Sequence, residues 1–247
     1  MKSSISHILS FIIMILLIAI STFISIKLSF GENRVIKILE KTEYYEKSYS
    51  NIYKEIDNYV INDEVNVSYK KYITKDLVTK DINSIITNFY LKKESKINRY
   101  DDFYKIISEY TKDSEIASIY SKDINEIYVN NLFPVDEFNL LNKVYFGSLD
   151  LLFGLIVSIL ILLALSVILL FINKSFVYHR YALSGYSIFI ILINILIKIL
   201  FKDFLYTNEY FTSFLVSLVS HIFSYQLVIS VILSIVLFLT KNKIKNI

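Results

Sequence analysis

FTSFLVSLVSHIFSYQLVISVILSIVLFLT, residues 211–240, contains no Asp, Glu, Lys or Arg. As a helix rising 1.5 Å per residue it would be about 45 Å long. A bilayer core is about 30 Å thick. The run is therefore read as a membrane span, and its middle raises a second question. His221, Gln226 and a row of serines stand where a span needs only apolar side chains.

Three further blocks have the same character, at 8–29, 147–172 and 182–201. Gathering apolar residues into such blocks marks spans rather than one large soluble core. The first block is too long for the apolar centre of a signal peptide and lacks a following A-x-A site, so it is read as an uncleaved anchor. The chain as a whole is 54% hydrophobic with a mean hydropathy of +0.49, well above a soluble domain of this length.

Direction comes from the short segments. Lys2 lies in the tail 1–7, Lys174 and Arg180 in the loop 173–181, and Lys241, Lys243 and Lys245 in the tail 241–247, with no acidic residue among them. The short loop 202–210 instead holds Lys202, Asp203 and Glu209. Positive residues stay in the cytoplasm. Both termini are then cytoplasmic, and residues 30–146 are outside. The aromatic residues Phe23, Phe30, Tyr145, Phe146, Phe201, Phe204 and Tyr206 lie near span ends, as an interfacial belt requires.

The net charge of +3 divides unevenly. Residues 31–146 carry 17 Lys/Arg and 20 Asp/Glu, whereas the remainder carries 9 and 3. The basic excess belongs to membrane orientation and gives no reason to expect nucleic acid binding. With no cysteine, disulfides and thiol chemistry are excluded. Four glycines and one proline leave little room for glycine-rich phosphate loops.

The segment 30–146 reads as a small helical bundle. Ile38, Leu39, Tyr45, Tyr49, Ile52, Ile56 and Tyr59 recur at helical spacing. INDEVNVS, 61–68, is a break. Thr74 is placed to cap a helix whose face is Val78, Ile82, Ile85, Ile86 and Phe89. KKESKINRY, 92–100, is a charged loop. Asp101 or Asp102 then caps a helix with Phe103, Ile106, Ile107 and Tyr110. Ile116, Ile119, Tyr120, Ile124, Ile127 and Tyr128 continue the pattern, and Pro134 ends it. A further helix is predicted from Val135 towards the second span. The expected fold class is thus an all-α membrane protein with four transmembrane helices and an extracytoplasmic helical bundle between the first two.

Candidate chemistry is sparse. Ser213, Ser217, Ser220 and Ser224 share one face of the last span, where small residues let helices approach closely. His221 is an ionisable group at bilayer depth. With Asn194, Ser217, Ser224, Ser21 and Thr22 it forms a candidate polar cluster. Two readings stand: hydrogen-bonded contacts between helices, or a proton-sensing or ligand-contacting group. Gly154 and Ser158 make one small-xxx-small pair in the second span. Lys174, His179 and Arg180 are candidates for contact with anionic lipid or a cytoplasmic partner. His7, His179 and His221 are too scattered for a metal site, and no H-E-x-x-H, G-x-S-x-G or Walker motif is present. The sequence points to no cofactor.

ITKDLVTKDINSIITNFY, 73–90, and FINKSFVYHRYALSGYSIFIILINIL, 171–196, resemble a family of four-span membrane proteins of clostridia and related Firmicutes. The resemblance implies a large helical outer loop after the first span and no particular reaction. The plan of one span, an outer domain and three spans is also similar to FtsX and MacB-type ABC permeases. This chain departs from them in its short N-terminal tail and in lacking a mixed α/β outer pattern. The leading expectation is a non-enzymatic binding, sensing or scaffold protein acting through its outer domain. Its expected partners are the lipid bilayer and a protein partner or a second copy of itself. A transport or permease-like subunit working with a cytoplasmic ATPase is the alternative, and an intramembrane enzyme stands third.

Overall fold

The computed structural model describes residues 2–60, 69–94, 96–134, 138, 148–174, 176–200 and 210–243, with only the backbone described at Lys2, 148–152 and 237–243. The helices are α1 Lys2–Ser29, α2 Glu32–Lys41, α3 Tyr44–Tyr59, α4 Lys75–Tyr90, α5 Tyr100–Ser108, α6 Ser114–Leu132, α7 Ser148–Asn173, α8 Val177–Leu200 and α9 Tyr210–Lys243. No strand occurs among the described residues. Stretches of α1, α7, α8 and α9 are long and apolar enough to cross a membrane: Ser3–Ser29, Phe153–Asn173, Val177–Leu200 and Tyr210–Val236. The break expected at 61–68, the helix expected from Val135, the loop 202–209 and the aromatic residues Tyr145, Phe146, Phe201, Phe204 and Tyr206 lie outside the described residues.

Two units divide the chain. One comprises Met1–Gly31, Leu141–Thr207 and Leu215–Ile247; the other comprises Glu32–Leu140 and Asn208–Phe214. In the first unit α1 packs against both α7 and α8. Ile13, Leu169 and Ala182 form one apolar cluster; Leu183, Tyr186 and Ile190 form a second, with Met14, Leu17, Ile18, Leu227 and Leu233 against it. Gly185 sets the closeness of α1 and α8. A Cβ there would meet Met14 Sδ at 2.8 Å, so a larger residue would have to displace the Met14 side chain. Gly154 faces open space and serves no helix contact. Most of the large apolar side chains of α7 point outward; Phe171 is 82% exposed.

The second unit is a helical domain whose turns follow from short-range rules. The heptad-like pattern from Ile38 to Tyr59 becomes two helices because the chain turns at Glu43, which is left-handed at φ 55°. Thr74 caps α4, its Oγ1 accepting from Leu77 N at 3.2 Å, and Asp76 adds negative charge at the helix start. Its expected apolar face, Val78, Ile82, Ile85, Ile86 and Phe89, is buried. Asp113 caps α6, accepting from Glu115 N and Ile116 N at 2.9 and 3.2 Å. At α5 the helix begins at Tyr100. Asp101 and Asp102 fall within its first turn, and Asn98 takes the capping role by accepting from Tyr100 N at 2.9 Å.

α6 corrects the expected face. Ala117, Ser121, Ile124, Tyr128 and Leu132 turn inward, while Ile116 and Ile119 are 43% and 53% exposed. Ile124 and Tyr128 are buried as expected; in the first half of α6, which packs with α5, the small Ala117 and Ser121 take the inward positions. The α3–α6 contact is also partly polar. Ser48 Oγ donates to Asn131 O at 2.7 Å, and Asn51 Nδ2 donates to Asn131 Oδ1 at 2.6 Å. An aromatic group completes the unit: Tyr44, Phe133, Phe138 and the α9 residues Tyr210 and Phe214, with Tyr44 and Tyr210 rings 5.0 Å apart.

Candidate functional sites

The membrane unit buries polar side chains along one seam. Ser21, Ser25 and Ser29 of α1, Asn194 of α8, and Ser217, Gln226 and Ser230 of α9 are all buried. Asn194 Nδ2 donates to Ile190 O at 3.0 Å and to Phe223 O at 3.2 Å, tying α8 to α9. Gln226 Nε2 donates to Thr22 Oγ1 at 2.5 Å, tying α9 to α1. Ser230 Oγ donates to Ser187 Oγ at 3.0 Å, and Ser187 and Ser234 hydroxyls are 3.1 Å apart. Ser21 and Thr22 both donate back to Ile18 O, and Ser224 donates to Ser220 O.

Of the residues singled out in sequence, Asn194, Ser21 and Ser217 therefore lie in the interior, Thr22 and His221 are half-buried and Ser224 is exposed. The residue that joins α9 to α1 is Gln226. It stood in the same polar stretch as His221, but ionisability drew attention to the histidine. Ser187, Ser230 and Ser234 were not singled out. The spacing of four between Ser230 and Ser234 on α9 is the signal that was available.

At the end of this unit that holds the N-terminal residues, a second polar group forms. Ser10 Oγ donates to Tyr178 O at 2.8 Å, and Ser6 and Asn173 side chains bond each other at 2.8–3.0 Å. The His7 ring meets Tyr178 edge-on at 5.1 Å. Lys174 is exposed and left-handed at φ 49°. His179 and Arg180 were expected in a loop; they lie in the first turn of α8 and are half-buried. His179 Nε2 is 3.2 Å from Ser166 O, which fixes that nitrogen as the protonated one. Three candidate contacts thus divide into one exposed cation and two side chains held partly within the helix packing.

The helical domain holds the strongest electrostatic arrangement. Arg99 grips Asp81 with two parallel bonds, Nε to Oδ2 at 3.0 Å and Nη2 to Oδ1 at 2.6 Å. Its Nη1 reaches Asp102 Oδ2 at 3.1 Å. Tyr128 OH donates to Asp81 Oδ2 at 2.8 Å, and Arg99 N donates to Asn125 Oδ1 at 2.7 Å. Asp81 is almost fully buried, so paired charge and a phenol donor are what allow a carboxylate there. The hydrogen bond to Asp81 raises the Arg99 guanidinium further above its ordinary value. Burial, then the Asp81 charge, raise the Tyr128 hydroxyl. The Asp102 carboxyl is lowered, first by a hydrogen bond from Tyr72 and then by Arg99. Sequence reading missed this network because Arg99 lies in a charged loop, and nothing local pairs it with a residue 18 positions earlier.

No protein-family model, no curated protein and no solved structure matches the chain.

Proposed function

We propose that the chain is a multi-pass protein of the cell membrane that binds a protein partner through its helical domain and performs no chemistry of its own. In this reading both termini are cytoplasmic and residues 30–146 lie outside, as the basic residues of the short segments imply. The resemblance to the four-span family of Firmicutes is part of the same proposal. The observation that carries it is the outer face of α6, where Ile116 and Ile119 stand exposed while Ala117 and Ser121 of the same turns face the core. An exposed apolar pair on a domain surface is what a contact surface needs. The Asp81–Arg99–Tyr128 network is satisfied internally and serves to hold α4, α5 and α6 together.

The test places a photo-crosslinking residue at Ile119 in the native membrane, with exposed Glu55 of α3 as the comparison site. A discrete adduct at 119, absent at 55 and abolished by Ile116→Asp, is expected. Equal yields at both positions overturn the reading. The adduct's mass distinguishes another protein from a second copy of the chain.

A transport or permease-like subunit is the second reading. It is favoured by the polar groups buried within the membrane helices. It requires a cytoplasmic ATPase that copurifies in stoichiometric amount and is released by substituting Lys174, His179 and Arg180. If no such protein copurifies in mild detergent, this reading fails.

A further inference from the structure

Among the described residues of the membrane unit six buried polar atoms have no hydrogen-bond partner: His179 Nδ1 and Arg180 Nε in the first turn of α8, and, further along the helices, Ser25 Oγ, Ser29 Oγ, Tyr186 OH and Gln226 Oε1. The last four residues are at most 2% exposed. Three helices supply them. Tyr186 of α8 packs among Met14, Leu17 and Ile18 of α1 and Leu227 of α9. Gln226 of α9 is held to Thr22 by its other side-chain atom. Ser21, Ser25 and Ser29 follow at intervals of four, which keeps them on one face of α1.

A serine inside a helix ordinarily donates to the carbonyl one turn back. Ser21 and Thr22 do so, both to Ile18 O; Ser25 and Ser29 do not. Other buried polar side chains of the same unit are paired. Asn194, also buried, places its amide donor on two carbonyls. Groups left unpaired within hydrocarbon are strongly unfavourable, and buried polar groups are normally satisfied by protein or by ordered water.

The kinds of atom left over decide the ligand. Gln226 Oε1 only accepts, whereas the three hydroxyls each have a proton to donate. A metal cation satisfies lone pairs but takes no proton, and the unpaired atoms include no carboxylate of the sort hard divalent ions require. A lipid chain offers neither donor nor acceptor. Water accepts from the hydroxyls and donates to the amide oxygen, making the two to four bonds of a typical buried water.

We propose that the interface of α1, α8 and α9 holds ordered water, bound by Ser25, Ser29, Tyr186 and Gln226, within the membrane-spanning part of the protein. The inference is independent of whether the helical domain binds a partner.

X-ray radiolysis of water bound next to a side chain produces hydroxyl radicals in place, and mass spectrometry reads the resulting modification. The experiment uses the full chain in lipid nanodiscs. Tyr44 and Tyr128 are the dry controls, since both are fully buried and both have bonded hydroxyls. Tyr186 is expected to be modified severalfold faster than either control. The excess is expected to fall in Gln226→Leu and in Ser25→Ala, the second variant covering any failure of the first to fold. Modification of Tyr186 at the rate of Tyr44 and Tyr128 overturns the proposal. So does an excess that both variants leave unchanged.

Discussion

The membrane unit and the helical domain differ in what they leave exposed and in the polar groups they bury. In the first, Ser21, Ser25, Asn194 and Gln226 are inside while Phe153, Leu160 and Phe171 are out. In the second, Ile38, Ile52, Ile82 and Phe103 are inside and charged side chains such as Lys75 and Glu46 pair at the surface. Water drives apolar burial in the domain. Lipid tails offer no such drive, so the membrane helices are selected by close packing and hydrogen bonds between helices. The polar groups inside each unit differ accordingly. The buried carboxylate described in the domain, Asp81, accepts three hydrogen bonds, whereas the buried polar groups described along the membrane seam are neutral, some of them unpaired. A charged pair is tolerable in the domain because its outer member, Arg99, keeps part of its guanidinium near water.

The comparison breaks most visibly at Asp81. Asp81→Ala leaves Arg99 and Tyr128 without their shared acceptor and should destabilise the domain by about 3–5 kcal/mol. Protease resistance of the domain in nanodiscs, followed with denaturant, measures it. A loss no greater than that of a surface carboxylate would show that the network is incidental. In the membrane unit the matching weak point is steric. Gly185→Leu must displace Met14 and should cost about 1–3 kcal/mol of α1–α8 packing, read as a lower midpoint in detergent-induced unfolding. An unchanged midpoint would mean that α1 and α8 do not approach as closely as described.

These two sites also show where sequence reading succeeds. Length and hydropathy alone locate α1, α7, α8 and α9, since no other element needs twenty apolar residues in a row. Thr74 and the face from Val78 to Phe89 were legible because capping and helical periodicity are local. On α6 the pattern holds for Ile124 and Tyr128, which are buried, but not for Ile116 and Ile119, whose apolar character does not put them inside; Ala117 and Ser121 are inside instead. Arg99 and Asp81 were invisible for a related reason: their pairing is tertiary. In the last span, Gln226 bonds Thr22 of α1, a reach between helices that the local sequence pattern does not reveal.

Thr74→Ala tests the local end of that scale. Removing the bond to Leu77 N should cost about 1 kcal/mol, by the same protease-resistance measurement, with Thr74→Ser close to the parent. A loss as large as that of Asp81→Ala would mean that Thr74 supports more than the start of α4.

The smallest effect concerns the other carboxylate on Arg99. Asp81 and Asp102 share one guanidinium, yet Asp81 is buried and Asp102 is half-exposed. The Asp102 carboxyl is lowered in the folded protein by Tyr72 and then by Arg99. A group lowered on folding stabilises above its unfolded value, about 3.9 for an aspartate, and that contribution is lost as pH falls through the lower folded value. Solvent screening at this position limits it to a few tenths of a kcal/mol. Asp102→Asn should therefore differ little from the parent near neutrality, and the parent's margin over it should vanish as the pH drops below about 4. Equal losses from Asp102→Asn and Asp81→Ala would place both carboxylates in the same environment, and the distinction between a buried, saturated network and its exposed edge would fail.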